Sequence, residues 1–481
     1  MADLKGRVLS VTSEAVPLVK TGGLADVCGA LPGALATQGW EMRTLLPAYP
    51  GLVEKLRAPK EIWAESDLFG GPGRVLAGQA AGGMAVMLLD APHLFDRAGG
   101  PYADARGDYG DNPERFAALC WAAAAIAAGG ARDGWRPDLL HAHDWQAGLA
   151  PAYLRQQGIP VPSVMTIHNI AFQGHAGADR IGSLRLPREG FHRDGFEYWG
   201  NISTLKAGLV SADAVTTVSP RYAEELMRPE FGLGLEGVIQ SRASDLHGIL
   251  NGIDDQVWNP ETDPELAPYS ARALGRKQEN RARLMQEFGV SGAGPLVILV
   301  SRLTAQKGID LVPEAIAPLL AAEGTLCILG SGEPWAEEMV RDLAARHPGR
   351  VGLRLGYDEG LSHRMFGGGD AVLVPSRFEP CGLTQLYGLR YGCLPVVAAT
   401  GGLADTVIGA TPASLGADAA TGIVFHPVDA LALRQALRRL TELFARPKLW
   451  AAMQRRAMKA DLGWGASAAR YAALYESLLA R

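Results

Sequence analysis

Short apolar runs alternate with helical spacing along most of the chain. In the second half, residues 295–301 form one such run, and 325–329, 351–355, 371–374 and 394–398 repeat it. Between them, the apolar spacing predicts helices over 309–322 and about 335–346. Runs without polar alternation read as strands buried on both faces, as in a parallel sheet covered by helices. Right-handed crossovers then make a doubly wound domain. The first half has the same grammar with longer interruptions. Residues 8–12, 84–89, 139–142, 163–167 and 214–218 are predicted strands, and a helix follows Gly22-Gly23 to about Gln38. The stretches 96–113 and 174–200 are expected to be irregular, and long loops in a compact enzyme often bind ligands.

The fold class is therefore α/β, with two doubly wound Rossmann-like domains. At 481 residues the chain is too long for one ordinary domain. Turn-forming Asn-Gly and Asn-Pro pairs between 251 and 262 mark the junction. The expected division is 1–252 and 253–460, with a last helix in 461–481 crossing back to the first domain. The hexamer Thr21-Gly-Gly-Leu-Ala-Asp26 recurs as Thr400-Gly-Gly-Leu-Ala-Asp405, each copy where a strand or loop gives way to a helix. Two such glycine-rich helix starts are expected to face each other across a deep cleft.

Composition narrows the function classes. The formal net charge of −5 argues against a general nucleic-acid or polybasic membrane binder. The longest apolar run, 116–128, is too short for a spanning helix of about 20 residues and reads as a buried helix. The N-terminus has no long apolar leader segment. Five cysteines without a CxxC fit a reducing compartment, so a cytoplasmic protein is expected.

Five segments carry candidate chemistry. In Lys20-Thr-Gly-Gly-Leu-Ala-Asp26, glycines at a helix start let amides approach an anion, and Lys20 adds charge. A tight turn with a solvated lysine is the equal alternative. Ser301-Arg-Leu-Thr-Ala-Gln-Lys-Gly308 follows a strand directly, so Arg302 and Lys307 stand where open α/β sheets bind ligands and suit one diphosphate. In Ser376-Arg-Phe-Glu-Pro-Cys-Gly-Leu-Thr-Gln385, Glu379 precedes the helix start at Gly382 to Thr384. A carboxylate beside an anion site suits sugar hydroxyls or a developing cation; a helix-capping role is the alternative. In His141-Ala-His-Asp-Trp145, two histidines lack a third metal ligand. Asp144 and Trp145 suit a sugar, carboxylate to hydroxyls and indole to ring face. His168 ends a predicted strand, where a lone histidine is more often structural. All five lie at strand ends or helix starts, which implies a site for a nucleotide diphosphate joined to a sugar.

These segments, with Gln306-Lys-Gly308 and Thr400-Gly-Gly-Leu-Ala-Asp-Thr-Val407, resemble the bacterial and plant glycogen/starch synthases, retaining glycosyltransferases of the GT-B fold. The resemblance covers essentially the whole chain and is to the bacterial ADP-glucose-using branch. It implies transfer of glucose from ADP-glucose to the non-reducing end of an α-1,4-glucan, such as glycogen, releasing ADP. By the same resemblance, Arg302 and Lys307 neutralise the leaving diphosphate, Lys20 and the Gly22-Gly23 turn hold it from the other domain, and Asp26 belongs to the substrate-binding set. Glu379 meets the glucose hydroxyls near the reacting carbon, and His168, Asp144 and Trp145 line the sugar and acceptor side. Tyr357 stacks on adenine. Asn251, Cys381, Gly382, Leu383 and Thr384 complete the substrate set. No metal and no cofactor is expected, and no nucleic-acid or membrane partner. Many related transferases carry a second glutamate eight residues after the first, but here that position is Tyr387. This favours front-face attack assisted by the leaving phosphate over a covalent glycosyl-enzyme. Domain closure on substrate is also expected.

Overall fold

The computed structural model describes residues 4–481, which divide into two compact units. The first takes the chain up to Asn251 together with Trp464–Arg481; the second is Gly252–Gly463.

The first unit is built on a nine-stranded sheet. Its strands are β1 (Gly6–Val11), β2 (Trp40–Pro47), β3 (Arg57–Glu65), β4 (Gly73–Gln79), β5 (Ala85–Asp90), β6 (Leu139–His143), β7 (Ser163–Ile167), β8 (Ala214–Thr217) and β9 (Leu246–Gly248). The spatial order is β9-β8-β7-β6-β1-β2-β5-β4-β3. All neighbours pair in parallel except β5-β4 and β4-β3, which close one edge as an antiparallel meander. Strand order reverses between β1 and β6, a switch point where loops diverge and leave a crevice at the carboxyl ends. Helix α1 (Gly23–Ala36) follows the loop after β1, and α2 (Asn112–Gly129) is the apolar run of the sequence, now largely buried.

The second unit has a six-stranded parallel sheet: β10 (Leu296–Val300), β11 (Thr325–Gly330), β12 (Val351–Leu355), β13 (Ala371–Val374), β14 (Leu394–Ala398) and β15 (Ile423–Phe425). The order β12-β11-β10-β13-β14-β15 is that of a Rossmann domain, with its switch point between β10 and β13. Two short helices matter to the site, α3 (Thr384–Arg390) and α4 (Gly401–Thr406).

The last helix, α5 (Gly465–Leu479), belongs to the first unit. It buries Tyr471, Tyr475 and Leu478 in a cluster with Val8, Trp40, Leu139 and Val164. The Trp40 and Tyr475 rings meet edge to face at 5.2 Å.

One predicted helix is corrected. The 309–322 segment is three short pieces, Ile309–Leu311, Val312–Ala315 and Ala317–Ala321. Pro313 and Pro318 sit in the first turns of the last two, and each lacks the N–H a continuous helix needs. The apolar-run reading also missed β2, β3, β4, β9 and β15. Glu41 and Arg43 interrupt β2, and β3 shows only Ile62 buried. Among the described residues, no helix is long and apolar enough to cross a membrane.

Candidate active site

In the second unit the candidate residues follow the two strands flanking the switch point. Arg302 and Lys307 come after β10, and Glu379 after β13. Glu379 is only 8% exposed. Its Oε2 accepts from Lys307 Nζ at 2.6 Å and from Ser376 Oγ at 2.8 Å. A buried carboxylate needs such partners, because loss of hydration is costly unless paired. Arg302 is exposed and has no side-chain hydrogen bond or ion pair among the described residues. The structure thus separates two cations that the sequence treated alike: Lys307 is already paired with Glu379, and Arg302 is open.

The backbone of the Glu379 loop is held from below by the second glycine pair. Gly402 N donates to the carbonyls of both Glu379 and Pro380. A Cβ on Gly401, at φ +43°, would lie 2.0 Å from Glu379 O, and one on Gly402 would lie 2.2 Å from Cys381 O. Only glycine permits this approach. The Gly402 amide therefore serves the Glu379 loop and not an anion. Cys381 is buried. Gly382 is left-handed at φ +72°, Leu383 precedes α3, and Thr384 opens it. Gln385 ties the turn, donating through Nε2 to the Cys381 and Gly382 carbonyls at 2.9 Å. Tyr387 stacks on Trp258 at 3.7 Å, and Trp258 stacks in turn on His363 at 3.9 Å. The aromatic replacing the second glutamate is thus part of a packed column. Tyr357 stands past the edge strand β12, 75% exposed, with its hydroxyl 3.0 Å from Glu359 Oε2.

In the first unit the loop after β1 carries a buried carboxylate that sequence reasoning missed. Glu14 accepts from Thr21 N, from Thr21 Oγ1 at 2.8 Å, from Gly22 N at 3.3 Å and from Tyr102 Oη at 3.1 Å. Burial raises its pKa, and the hydrogen bonds from Thr21, Tyr102 and Gly22 oppose the rise. Two amides at the glycine-rich turn are therefore directed to an internal carboxylate. Tyr102 reaches it because Arg115, fully buried under the loop, donates to the Leu94 and Pro101 carbonyls. Lys20 pairs with Asp26 at 2.8 Å, both partly exposed, a contact worth about 0–1 kcal/mol. The available signal for Glu14 was a lone acid three residues past an apolar strand.

After β6 and β7, three histidines and Asp144 form one cluster. His141 is held at both nitrogens, by Tyr475 Oη at 2.7 Å and Thr166 Oγ1 at 2.6 Å. Its ring lies against His143, centroids 4.1 Å apart. His143 Nδ1 and His168 Nε2 share a hydrogen bond of 3.0 Å. His168 is thus the third histidine that the sequence lacked, yet the nitrogens point to one another and to hydroxyls, not to a common centre. Among the described residues no group of three or more His, Cys, Asp or Glu is placed to hold a metal. Burial lowers the pKa of His141 and His168 to about 3, and that of His143 well below its ordinary value, so all three rings are neutral.

Asp144 has a different task from the one its neighbour suggested. It is buried, in the left-handed region at φ +55°, and its Oδ1 accepts from His168 N at 2.7 Å and Asn169 N at 3.3 Å. Burial raises its pKa to about 7 against those two bonds. Trp145 does not offer an open indole face. It meets the Phe116 ring edge to face at 5.1 Å, and the Gly174 backbone packs so close that a Cβ there would lie 2.5 Å from the indole. Asn251 closes the first unit, buried, with its Oδ1 unpartnered.

Two family models match, "Starch synthase catalytic domain" over residues 7–241 and "Glycosyl transferases group 1" over 280–458. A glycogen synthase from Cereibacter sphaeroides is 61% identical over 481 residues, covering all of both chains. The chain belongs to the glycogen/starch synthase family. A glycogen synthase from Paracoccus denitrificans is 58% identical, covering 98% of this chain and 100% of that one. Among solved structures, the catalytic domain of starch synthase IV from Arabidopsis thaliana, bound to ADP and acarbose, matches with TM-score 0.89 at 30% identity, over 99% of this chain and 100% of that one. Sucrose-phosphate synthase from Thermosynechococcus elongatus shares the fold, with TM-score 0.62 at 20% identity over 99% and 100% of the two chains. Membership of the glycogen/starch synthase family makes this chain a glycosyltransferase of GT-B architecture, acting with a nucleotide-sugar donor and a glucan acceptor.

Proposed function

We propose that the chain is a cytoplasmic glycogen synthase that uses ADP-glucose, retains anomeric configuration and needs neither metal nor cofactor. The observation that carries the reading is the buried Glu379, clasped by Lys307 and Ser376 at the second unit's switch point, with an exposed Arg302 following β10. As the glycosidic bond breaks, negative charge grows on the diphosphate and positive charge on the sugar ring. Arg302 receives the diphosphate as a planar fork. Lys307, with three donors, keeps Glu379 and reaches the same phosphate. Glu379 faces the glucose hydroxyls near the reacting carbon, where a fixed carboxylate favours the developing cation. Tyr357 stacks on adenine. Gly382, Leu383 and Thr384 border the donor at the opening of α3.

In the first unit, Lys20 and Gly23, next to the Thr21 and Gly22 amides that Glu14 engages, are the phosphate contacts. His168 is the contact for a sugar hydroxyl, and Asp144 places it by holding its backbone amide. With a tyrosine packed where a second glutamate would stand, nothing at α3 supplies a nucleophile for a covalent glycosyl-enzyme. Front-face attack, with the departing phosphate accepting the acceptor's proton, is the mechanism this leaves.

The test is transfer of labelled glucose to glycogen from ADP-glucose and, separately, UDP-glucose, with Glu379→Gln as control. Incorporation from ADP-glucose that the variant lowers by about a thousandfold is expected. Preference for UDP-glucose would overturn the donor assignment, and an active Glu379→Gln would overturn the site.

A further inference from the structure

The most exposed large hydrophobic side chain among the described residues stands at the tip of a hairpin. Trp199 is 80% exposed. It occupies the tip of a hairpin between the short strands Glu197–Tyr198 and Asn201–Ser203, whose two-residue loop is Trp199-Gly200. Both loop residues are left-handed, at φ +48° and +82°. That is the turn for which Asn-Gly is preferred, because a bulky residue is strained at positive φ. The indole is therefore held in water on a backbone that disfavours it.

Trp199 is one end of an aromatic strip. Tyr198 beside it stacks face to face with the exposed His175, centroids 5.0 Å apart and planes within 16°. Tyr198 Oη and Gln173 Nε2 both donate to Leu233 O, which locks the hairpin to the neighbouring turn. Phe172, 52% exposed, follows, and its amide bonds the carbonyl of Asn169, next to His168. Phe172 thus lies on the segment that leads from His168 to His175, and the hairpin carrying Tyr198 and Trp199 is stacked on His175. Two carboxylates at the hairpin and its neighbouring turn are engaged by backbone: Glu197 accepts from Gly200 N at 2.6 Å and Glu236 from Gly234 N at 2.9 Å. Exposed beside them are the rings of Phe172, His175 and Trp199. Ring faces of this kind suit the apolar faces of a neutral sugar polymer.

We propose that this strip binds the α-glucan acceptor along its length, with Trp199 as the outer anchor and Phe172 between it and His168. The proposal rests on the acceptor being a glucan. Affinity electrophoresis of the full chain through gels containing glycogen tests it, with Trp199→Asn, Trp199→Phe and Phe172→Ser compared to wild type. Asparagine suits the turn, so the fold is expected to survive, and a thermal melt checks it. Trp199→Asn and Phe172→Ser are expected to weaken glycogen binding at least fivefold, and Trp199→Phe to stay within about twofold. Equal retardation of wild type and Trp199→Asn overturns the strip but leaves the glucan acceptor intact. A wild type that glycogen does not retard overturns both. A change in sedimentation with Trp199→Asn, without a change in glycogen retardation, would make the strip an interface between copies and overturn it as well.

Discussion

At the carboxyl end of the second unit's sheet, charge is kept and paired. Lys307 and Glu379 form an ion pair that is largely shielded from water, and Arg302, after the same strand as Lys307, is exposed and unpaired among the described residues. At the corresponding end of the first unit's sheet, apart from the Lys20–Asp26 pair, burial works against charge. Three histidines are neutral, Asp144 is raised to about 7, and Glu14 is raised as well. Both sites occupy a switch point of a parallel sheet, so topology does not distinguish them. The residues after each strand do. Full charges suit a leaving diphosphate and a developing cation, whereas neutral donors and acceptors suit sugar hydroxyls. The division of labour in a glycosyl transfer is already visible in how each unit treats its ionisable groups.

The comparison is broken most sharply at the two cations. Lys307→Ala and Arg302→Ala are each expected to lower transfer by about 100- to 1000-fold. Their stabilities should diverge. Lys307→Ala leaves Glu379 buried with Ser376 alone, at about 3 kcal/mol. Arg302→Ala changes an exposed side chain and should stay within about 0.5 kcal/mol. Urea unfolding of both variants measures the difference, and equal stabilities would contradict the pairing.

The pH dependence of stability sharpens the other side. The histidines have folded pKa values below the unfolded one, so protons bind the unfolded chain more tightly. Their contribution is present above about pH 6.5 and is lost as pH falls toward about 3. Asp144 has the opposite sign. Its folded pKa is raised from 3.8 to about 7, so its contribution is largest below about pH 4 and is lost as pH rises through 7. Between pH 4 and 6.5 the terms oppose, and the histidines outnumber the aspartate. Stability should therefore decline on acidification, and Asp144→Asn should make that decline steeper by removing the opposing term. Thermal melts across this range test it; a shallower decline in the variant would contradict the assignment.

The smallest effect is expected at Tyr475→Phe. Removing its hydroxyl leaves His141 Nδ1 buried without its partner, at about 1–2 kcal/mol. A melt of this variant also reports on α5, since the aromatic packing on Trp40 is retained.

Much of this was legible in the chain. The strands before Arg302, Lys307 and Glu379 are uninterrupted apolar runs, and the one before His168 is short and mostly apolar, so their carboxyl ends could be placed from spacing. Strand β2 escaped because charges alternate through it, and β3 because it exposes most of its length. The repeated hexamer was read as two equivalent helix starts. The structure gives the copies different work: Gly401-Gly402 packs under the Glu379 loop, whereas a Cβ on Gly22 would meet nothing within 4 Å. Local sequence cannot show that, because the difference lies in which distant backbone approaches. The same holds for Glu14, whose role depends on Tyr102 arriving from a loop 88 residues away. Trp145 shows the converse: its indole suits a sugar in isolation, but Phe116 and the Gly174 backbone pack against it and leave it only partly exposed.

The most direct test of the division between the units is calorimetric titration of ADP into wild type, Arg302→Ala and Asp144→Asn. The account predicts that Arg302→Ala weakens ADP binding at least tenfold while Asp144→Asn leaves it within about twofold. Equal weakening by both variants, or none in Arg302→Ala, would contradict it.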